Sequence, residues 1–121
     1  MDIHNYKRQM ERQIILVQES NEISKENKNT ILTFKDYLLS EGIGAAKIAR
    51  YILDLRKFNR MLNKPFKAAD EGDIRRVVAE IEQSKLAPES KKCFKIVLRK
   101  LYRFVRGIKE KRTYPPEEKK K

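Results

Sequence analysis

The fold is decided by a stretch near the C-terminus, residues 86–106, which reads LAPESKKCFKIVLRKLYRFVR. Pro88 suits the first turn of a helix, where its missing N–H and fixed φ cost nothing. Apolar side chains then recur, within this stretch and just beyond it, at steps of three and four residues, which places them on one side of an α-helix. They are Phe94, Val97, Leu101, Val105 and Ile108. We therefore predict a helix that begins near residue 88 and buries this stripe.

Basic side chains recur at the same steps but about half a turn away, given roughly 100° per residue. We name this set the ridge; its members are Lys92, Lys95, Arg99, Arg103 and Arg106. Like charges at this spacing repel by about 0.2–0.5 kcal/mol per pair, so helix stability alone would favour interleaved glutamates. The ridge is either a solvated face or a surface for a polyanion, which would remove the repulsion.

The charge of the whole chain favours a polyanion. The 121 residues include 29 Lys and Arg against 17 Asp and Glu, which gives a formal net charge of +12. An excess of this kind is typical of domains that bind nucleic acids. The length fits one domain with a modest core. The hydrophobic share of 40% and the charged share of 38% fit a charged helical protein better than a β-sandwich.

The rest of the chain reads as a series of amphipathic helices. We predict helices over residues 5–19, 24–41, 45–63 and 70–84, with Gly42 just beyond the second, Lys64-Pro65 ending the third and Asp70 capping the fourth. The fourth helix is acidic, and we expect it to point away from a polyanion. The predicted fold class is all-α, a bundle of four helices with an additional N-terminal helix. The predicted buried sides are Tyr6, Met10, Ile14 and Val17; Ile31, Phe34 and Leu38; Ile48, Ile52, Leu55 and Leu62, flanked by Tyr51 and Phe58; and Ile74, Val77, Val78 and Ile81.

One turn of the first helix leaves its role open. Residues 14–17 are apolar on all sides, and four residues are too few for periodicity to separate a helix from a strand. The turn could dock on its own domain, contact a second subunit, or pair as a strand. We place a junction after it and predict an N-terminal helical extension at 1–20, a main domain at 21–108 and a flexible tail or interdomain linker at 109–121.

Patterns that support catalysis are missing from the sequence. A lone Cys93 and a lone His4 give neither a disulfide nor a metal cluster, and no glycine-rich phosphate loop is present. We therefore expect no cofactor, no metal, no small-molecule substrate and no enzymatic activity. No apolar run is long enough to span a bilayer, and the first residues lack a secretory signal. The expected location is cytoplasmic, or nucleoid-associated if the source is prokaryotic, with no membrane partner.

Several segments, taken in order, resemble the N-terminal core-binding domain of tyrosine recombinases, the phage-integrase family. The segments are residues 30–39, 47–58, 73–78, 86–92 and 98–105. The most specific is the last pair, where the family reads leucine, a small residue, proline and then Ser/Thr, followed by a basic helix with an aromatic end. Here Glu89 precedes Ser90, and Phe104-Val105 stand at that end without tryptophan.

The resemblance implies a SAM-like orthogonal bundle that forms one half of a clamp around duplex DNA. The family's catalytic half, with its nucleophilic tyrosine, is not found in this chain. Tyr114-Pro115-Pro116 resembles the interdomain linker, so Tyr114 is not taken as a nucleophile. The chain is then expected to be a domain excised from a longer integrase or a stand-alone relative, with other recombinase subunits as possible partners.

Together, these observations predict a domain that binds double-stranded DNA. The expected contacts are Lys92, Lys95, Arg99 and Arg103, with Lys47, Arg50 and Lys57 on the neighbouring helix as secondary contacts. Two other classes stay open: a helical protein-interaction or oligomerisation module that uses residues 14–17, and an RNA-binding domain, which the lack of stacking-aromatic motifs disfavours. A stand-alone DNA-binding accessory factor is a variant of the hypothesis that the chain binds double-stranded DNA.

Overall fold

The computed structural model describes the backbone of residues 3–109 and the side chains of residues 5–107. Within that range the chain forms α1 (Ile3–Glu19), α2 (Lys25–Ser40), α3 (Ala45–Leu62), α4 (Glu71–Gln83) and α5 (Pro88–Lys109), with a short 3-10 turn at Phe66–Ala68. These residues contain no strand, so the all-α prediction is confirmed. The predictions that concern the side chains of His4 and Ile108, Tyr114, and the tail beyond residue 109 lie outside the described residues.

Local signals in the sequence set the ends of α2 and α4. The Ser24 hydroxyl accepts a hydrogen bond from the Asn27 N–H (3.1 Å) at the start of α2. Gly42 has φ +85° and follows α2; its N–H donates to Leu39, and the next N–H donates to Leu38, both at 3.0 Å. This pair of bonds is a Schellman motif, which favours glycine in the left-handed position. Asp70 and Asp73 form a reciprocal capping box at the start of α4.

Helix α3 lies at the centre and packs against each of the other four helices. Because it has neighbours on several sides, it buries a wider arc than an amphipathic surface helix would. Tyr51 and Phe58 are therefore fully inside the core, and the prediction that they only flank the buried side was wrong. The ring of Phe58 contacts Phe66, Phe94 and Tyr102, so this residue joins α3 to the 3-10 turn and to α5.

Helix α1 docks along α3, so residues 14–17 are helical, and the predicted possibility that they dock on their own domain is confirmed. Met10 and Val17 are buried in the common core, and Ile14 packs against it. The Arg56 guanidinium on α3 adds a hydrogen bond to the Gln13 side-chain oxygen at 2.9 Å. Ile15, in the same turn, is 49% exposed on the far side of α1. The turn is helical and packs on its own chain.

A buried amide joins α2 to the segment after α3. The Asn27 side chain is 2% exposed and donates to the Asn59 Oδ1 (2.9 Å) and to the Lys64 carbonyl (3.2 Å), while its Oδ1 accepts from the Phe66 N–H at 2.9 Å. Phe66 itself is fully buried, in the short 3-10 turn between α3 and α4. The amide thus fixes the turn that carries the chain from α3 to α4.

Candidate nucleic-acid interface

The two faces predicted for α5 are both present. Phe94, Val97, Leu101 and Val105 are buried, and Leu98 joins them. On the other face, four members of the ridge are exposed and Lys95 is partly exposed. The apolar stripe of α5 is therefore packed against the core, and its basic side chains lie at the surface.

Most of the ridge has no carboxylate partner. Among the described residues, no ion pair is formed by Lys92, Arg99, Arg103 or Arg106. A surface that holds four unpaired cations on one helix is suited to a ligand with several negative charges, because such a ligand removes their mutual repulsion.

Lys95 differs from the other members of the ridge. Its ammonium pairs with the Glu82 carboxylate at the end of α4, and the hydrogen bond and charge of Lys95 hold the pKa of Glu82 below its ordinary value. Lys91 also reaches across, from its ammonium to the Glu82 carbonyl at 2.7 Å. Glu82, on the acidic helix, therefore lies against the basic face of α5.

A groove runs between α5 and α4 on the Lys95 side of the ridge. It encloses about 490 Å³, and its apolar lining includes Ile74, Val78 and Tyr102. Lys67, Arg99 and Arg106 line it as well, together with the carboxylates of Asp70 and Glu71 at the start of α4. The Tyr102 hydroxyl donates to the Phe66 carbonyl at 2.8 Å, and burial raises the pKa of this phenol. The hydroxyl therefore stays protonated at neutral pH and holds one wall of the groove.

Arg103 faces a different neighbour, the C-terminal end of α2. It lines a smaller cleft with Lys100, Tyr37 and Glu41. The Tyr37 ring lies 5.0 Å from that of Phe104, which fixes the end of α2 against this part of α5. The ridge therefore runs between two depressions, one towards α4 and one towards α2.

The predicted secondary contacts on α3 reach the start of α5 at Cys93. Lys47 and Arg50 are exposed, and Lys57 is partly buried. The charges of Arg50 and Lys47 both act on the Cys93 thiol, the residue next to Lys92. Arg50 and Lys47 thus lie near the edge of α5 that carries Cys93, whereas Lys57 acts on Asp54 of its own helix. Cys93 is partly buried.

A buried carboxylate lies between the α3 cations. Asp54 is 3% exposed, and its Oδ2 is 3.5 Å from the Nε of Arg50, one turn earlier. Burial raises the pKa of Asp54, and the charge of Arg50 opposes that rise. Burial likewise raises the pKa values of Tyr51 and Cys93, and the Asp54 charge adds to both shifts. Both neighbours therefore stay protonated at neutral pH.

One member of the ridge, Arg106, and two basic residues near it, Lys100 and Lys67, were not among the predicted contacts. Arg106 follows Arg99 by seven residues on the same face, so the helical period alone would have included it. Lys100 borders the cleft with Arg103. It lies about 100° around the helix from Arg99, so the spacing of the ridge does not include it. Lys67 reaches the groove from the turn before α4, and no helical spacing could have predicted that.

Comparison with protein-family models, with curated proteins and with solved structures gave no match. In the part of the chain that the structure describes, no helix has the length and apolar character required to cross a bilayer.

Proposed function

We propose that this chain binds duplex DNA through the ridge of α5. The observation that carries the proposal is the set of four exposed cations on one helix, none of which has a carboxylate partner among residues 5–107. DNA presents a regular row of phosphates, and neutralising them releases condensed counterions, which drives binding. The net charge of +12 adds a long-range attraction to the same ligand.

Phosphate contacts dominate in this proposal, and base contacts are secondary. Lysine binds phosphate as a point charge, whereas arginine can also pair with guanine through two parallel hydrogen bonds. Arg99, Arg103 and Arg106 are thus the ridge residues with the chemistry for base recognition. Lys47, Arg50 and Lys57 extend the contact along α3, on the Cys93 side.

The finer form of the proposal is that the chain is the core-binding domain of a tyrosine site-specific recombinase, which takes part in DNA integration or recombination. Its support is the sequence resemblance together with the order of the helices, in which a basic amphipathic helix that begins at a proline comes last. In that case the helices adopt a SAM-like arrangement, the chain forms one half of a clamp, and the reaction is carried out by a separate catalytic domain.

A second candidate, from a different class, is a protein-interaction or oligomerisation module. It is favoured by the exposed apolar side chains of Ile15 on α1 (49%) and Leu53 on α3 (43%). Isolated exposed leucines and isoleucines are common on monomeric proteins, so this observation is weaker than the unpaired ridge.

The two candidates are separated by titrating a fluorescent duplex oligonucleotide with the protein at several salt concentrations. DNA binding by an isolated half-clamp should have a Kd in the micromolar range or weaker, roughly 10⁻⁶ to 10⁻⁴ M at physiological salt, and should tighten steeply as salt is lowered. Duplex RNA of the same sequence should compete poorly. No binding at low salt, together with a sedimentation coefficient that rises with protein concentration and falls in Ile15→Ser, would refute the DNA proposal in favour of the second candidate.

A further inference from the structure

Asp54 on α3 is a carboxylate for which the fold itself has little use. It is 3% exposed, and within the described residues its Oδ2 accepts no hydrogen bond. A buried carboxylate without full hydrogen bonding is costly, because burial removes the water that would stabilise its charge. The pKa of Asp54 is raised, because burial outweighs the lowering effects of Arg50, Cys93 and Lys57. A role outside stability would explain why a carboxylate occupies this position.

The geometry of Arg50 indicates what that role is. The closest approach to Asp54 is through Nε, at 3.5 Å, and the Arg50 side chain is 42% exposed. Nε is the guanidinium nitrogen nearest the backbone, so the two terminal amino groups lie farther along the side chain. An ion pair through Nε leaves the terminal N–H groups of the guanidinium available as a planar fork, which matches two oxygens of a phosphate.

We infer that Asp54 is a positioning residue, which holds the Arg50 guanidinium so that its terminal amino groups meet a DNA phosphate. The inference rests on the proposed function. Arg50 is then a DNA contact of fixed orientation, whereas Lys47 and Lys57 are flexible point charges beside it. The Asp54 carboxylate interacts with Cys93 at the start of α5, and Arg50 lines a cleft with Gln9, Arg12 and Gln13 of α1. The exposed part of Arg50 therefore lies at the surface between α3 and α1.

For Asp54→Asn, Coulomb attraction alone and the positioning role predict opposite changes in DNA affinity. Asp54→Asn removes a negative charge near the DNA surface, so Coulomb attraction alone would make DNA binding tighter. Loss of positioning makes it weaker, because Arg50 must then be ordered at the moment of binding. The sign of the change in affinity therefore separates the two accounts.

The test is a duplex titration across a salt series with wild type, Asp54→Asn, Arg50→Gln, Arg50→Lys and the Arg50→Gln/Asp54→Asn double variant. One phosphate contact contributes roughly 0.9 to the salt slope, or roughly eightfold in affinity at 0.1 M salt relative to 1 M. We expect Arg50→Gln to bind DNA roughly eightfold more weakly than wild type at 0.1 M salt, with a salt slope smaller by roughly 0.9. Asp54→Asn should weaken binding about threefold or more while remaining folded, because the Arg50 side chain that loses its partner is 42% exposed and can be hydrated. In the Arg50→Gln background it should cause no further weakening.

Arg50→Lys keeps the charge but lacks the fork, so it should bind more weakly than wild type; it also serves as the deciding variant if Asp54→Asn does not fold. The inference is overturned if folded Asp54→Asn binds as tightly as wild type or more tightly, if it weakens binding equally without Arg50, or if Arg50→Lys binds like wild type. Arg99→Gln on the ridge is the reference. If it weakens binding while Asp54→Asn does not, only the positioning role fails; if Arg99→Gln has no effect either, the proposed DNA face fails.

Discussion

Replacing Asn27 by alanine should destabilise the fold far more than any pattern in the sequence suggests. The side chain joins three partners: the Asn59 amide oxygen, the Lys64 carbonyl and the Phe66 N–H. Alanine leaves all three without this partner. The Phe66 bond and the Asn59 bond are buried, so water cannot replace the lost amide there, whereas the Lys64 bond is only partly buried.

The magnitude follows from those two buried groups. A buried donor or acceptor that loses its partner costs about 1–3 kcal/mol. Two such groups give a loss of about 3 kcal/mol, a large part of the roughly 5–15 kcal/mol that stabilises a typical domain. With a urea m-value of about 1.5 kcal/mol/M, the unfolding midpoint should fall by about 2 M.

Equilibrium unfolding in urea, followed by far-UV circular dichroism, measures this loss. Asn29→Ala is the matched control, because Asn29 is exposed on the same helix and its side chain makes no hydrogen bond within the described residues. That control should change the free energy of unfolding by no more than about 0.5 kcal/mol. A difference of less than about 1 kcal/mol between the two variants would refute the structural role given to the Asn27 amide.

Two further predictions concern the faces of α5 and the cap of α4. Leu101→Ala should cost about 2–5 kcal/mol of unfolding free energy, because it empties a fully buried site, whereas Arg99→Ala on the opposite face should cost little; the reverse order in thermal melts would invert the two faces. The hydrogen bond from Lys64, and then that from the Asp70 N–H, lower the pKa of Asp73 from its ordinary 3.8. Its contribution to stability is therefore present above that ordinary value and lost as the pH falls through the lower folded value. Asp73→Asn should melt below wild type at neutral pH, and the two melting temperatures should converge in acid; a constant difference across the pH series would contradict this account of the cap.

The helices could be predicted from the sequence because their signals are local. Ser24, Gly42 and Asp70 act on backbone groups within a few residues, and the apolar stripe of α5 repeats with the helical period. Each of these signals depends only on its own segment of chain, so it can be recognised without knowledge of the tertiary structure.

Contacts between distant segments could not be predicted in the same way. Asn27 bonds to residues 32 and 39 positions away, and a polar residue in a helix gives no sign of such partners. Asp54 lies three residues after Tyr51 and four before Phe58, so the period does place it on the buried side, but a carboxylate is ordinarily assigned to the surface. Glu82 meets Lys95 only because α4 and α5 pack together. For the candidate interface, the period therefore predicted the ridge, and the tertiary structure supplied its neighbours.

The DNA face is tested most directly by the salt dependence of duplex binding in Arg99→Gln/Arg103→Gln. These two arginines are exposed and unpaired among the described residues, so their loss should leave the fold intact. With four to six phosphate contacts, wild type should give a slope of log K against log salt of roughly −4 to −5, and the double variant should lose about two units of it. Lys25→Gln/Arg60→Gln, which removes two exposed charges outside the ridge, should change the slope by less than about half a unit. If the double variant stays folded and binds with the wild-type slope, the ridge is not the DNA-binding face.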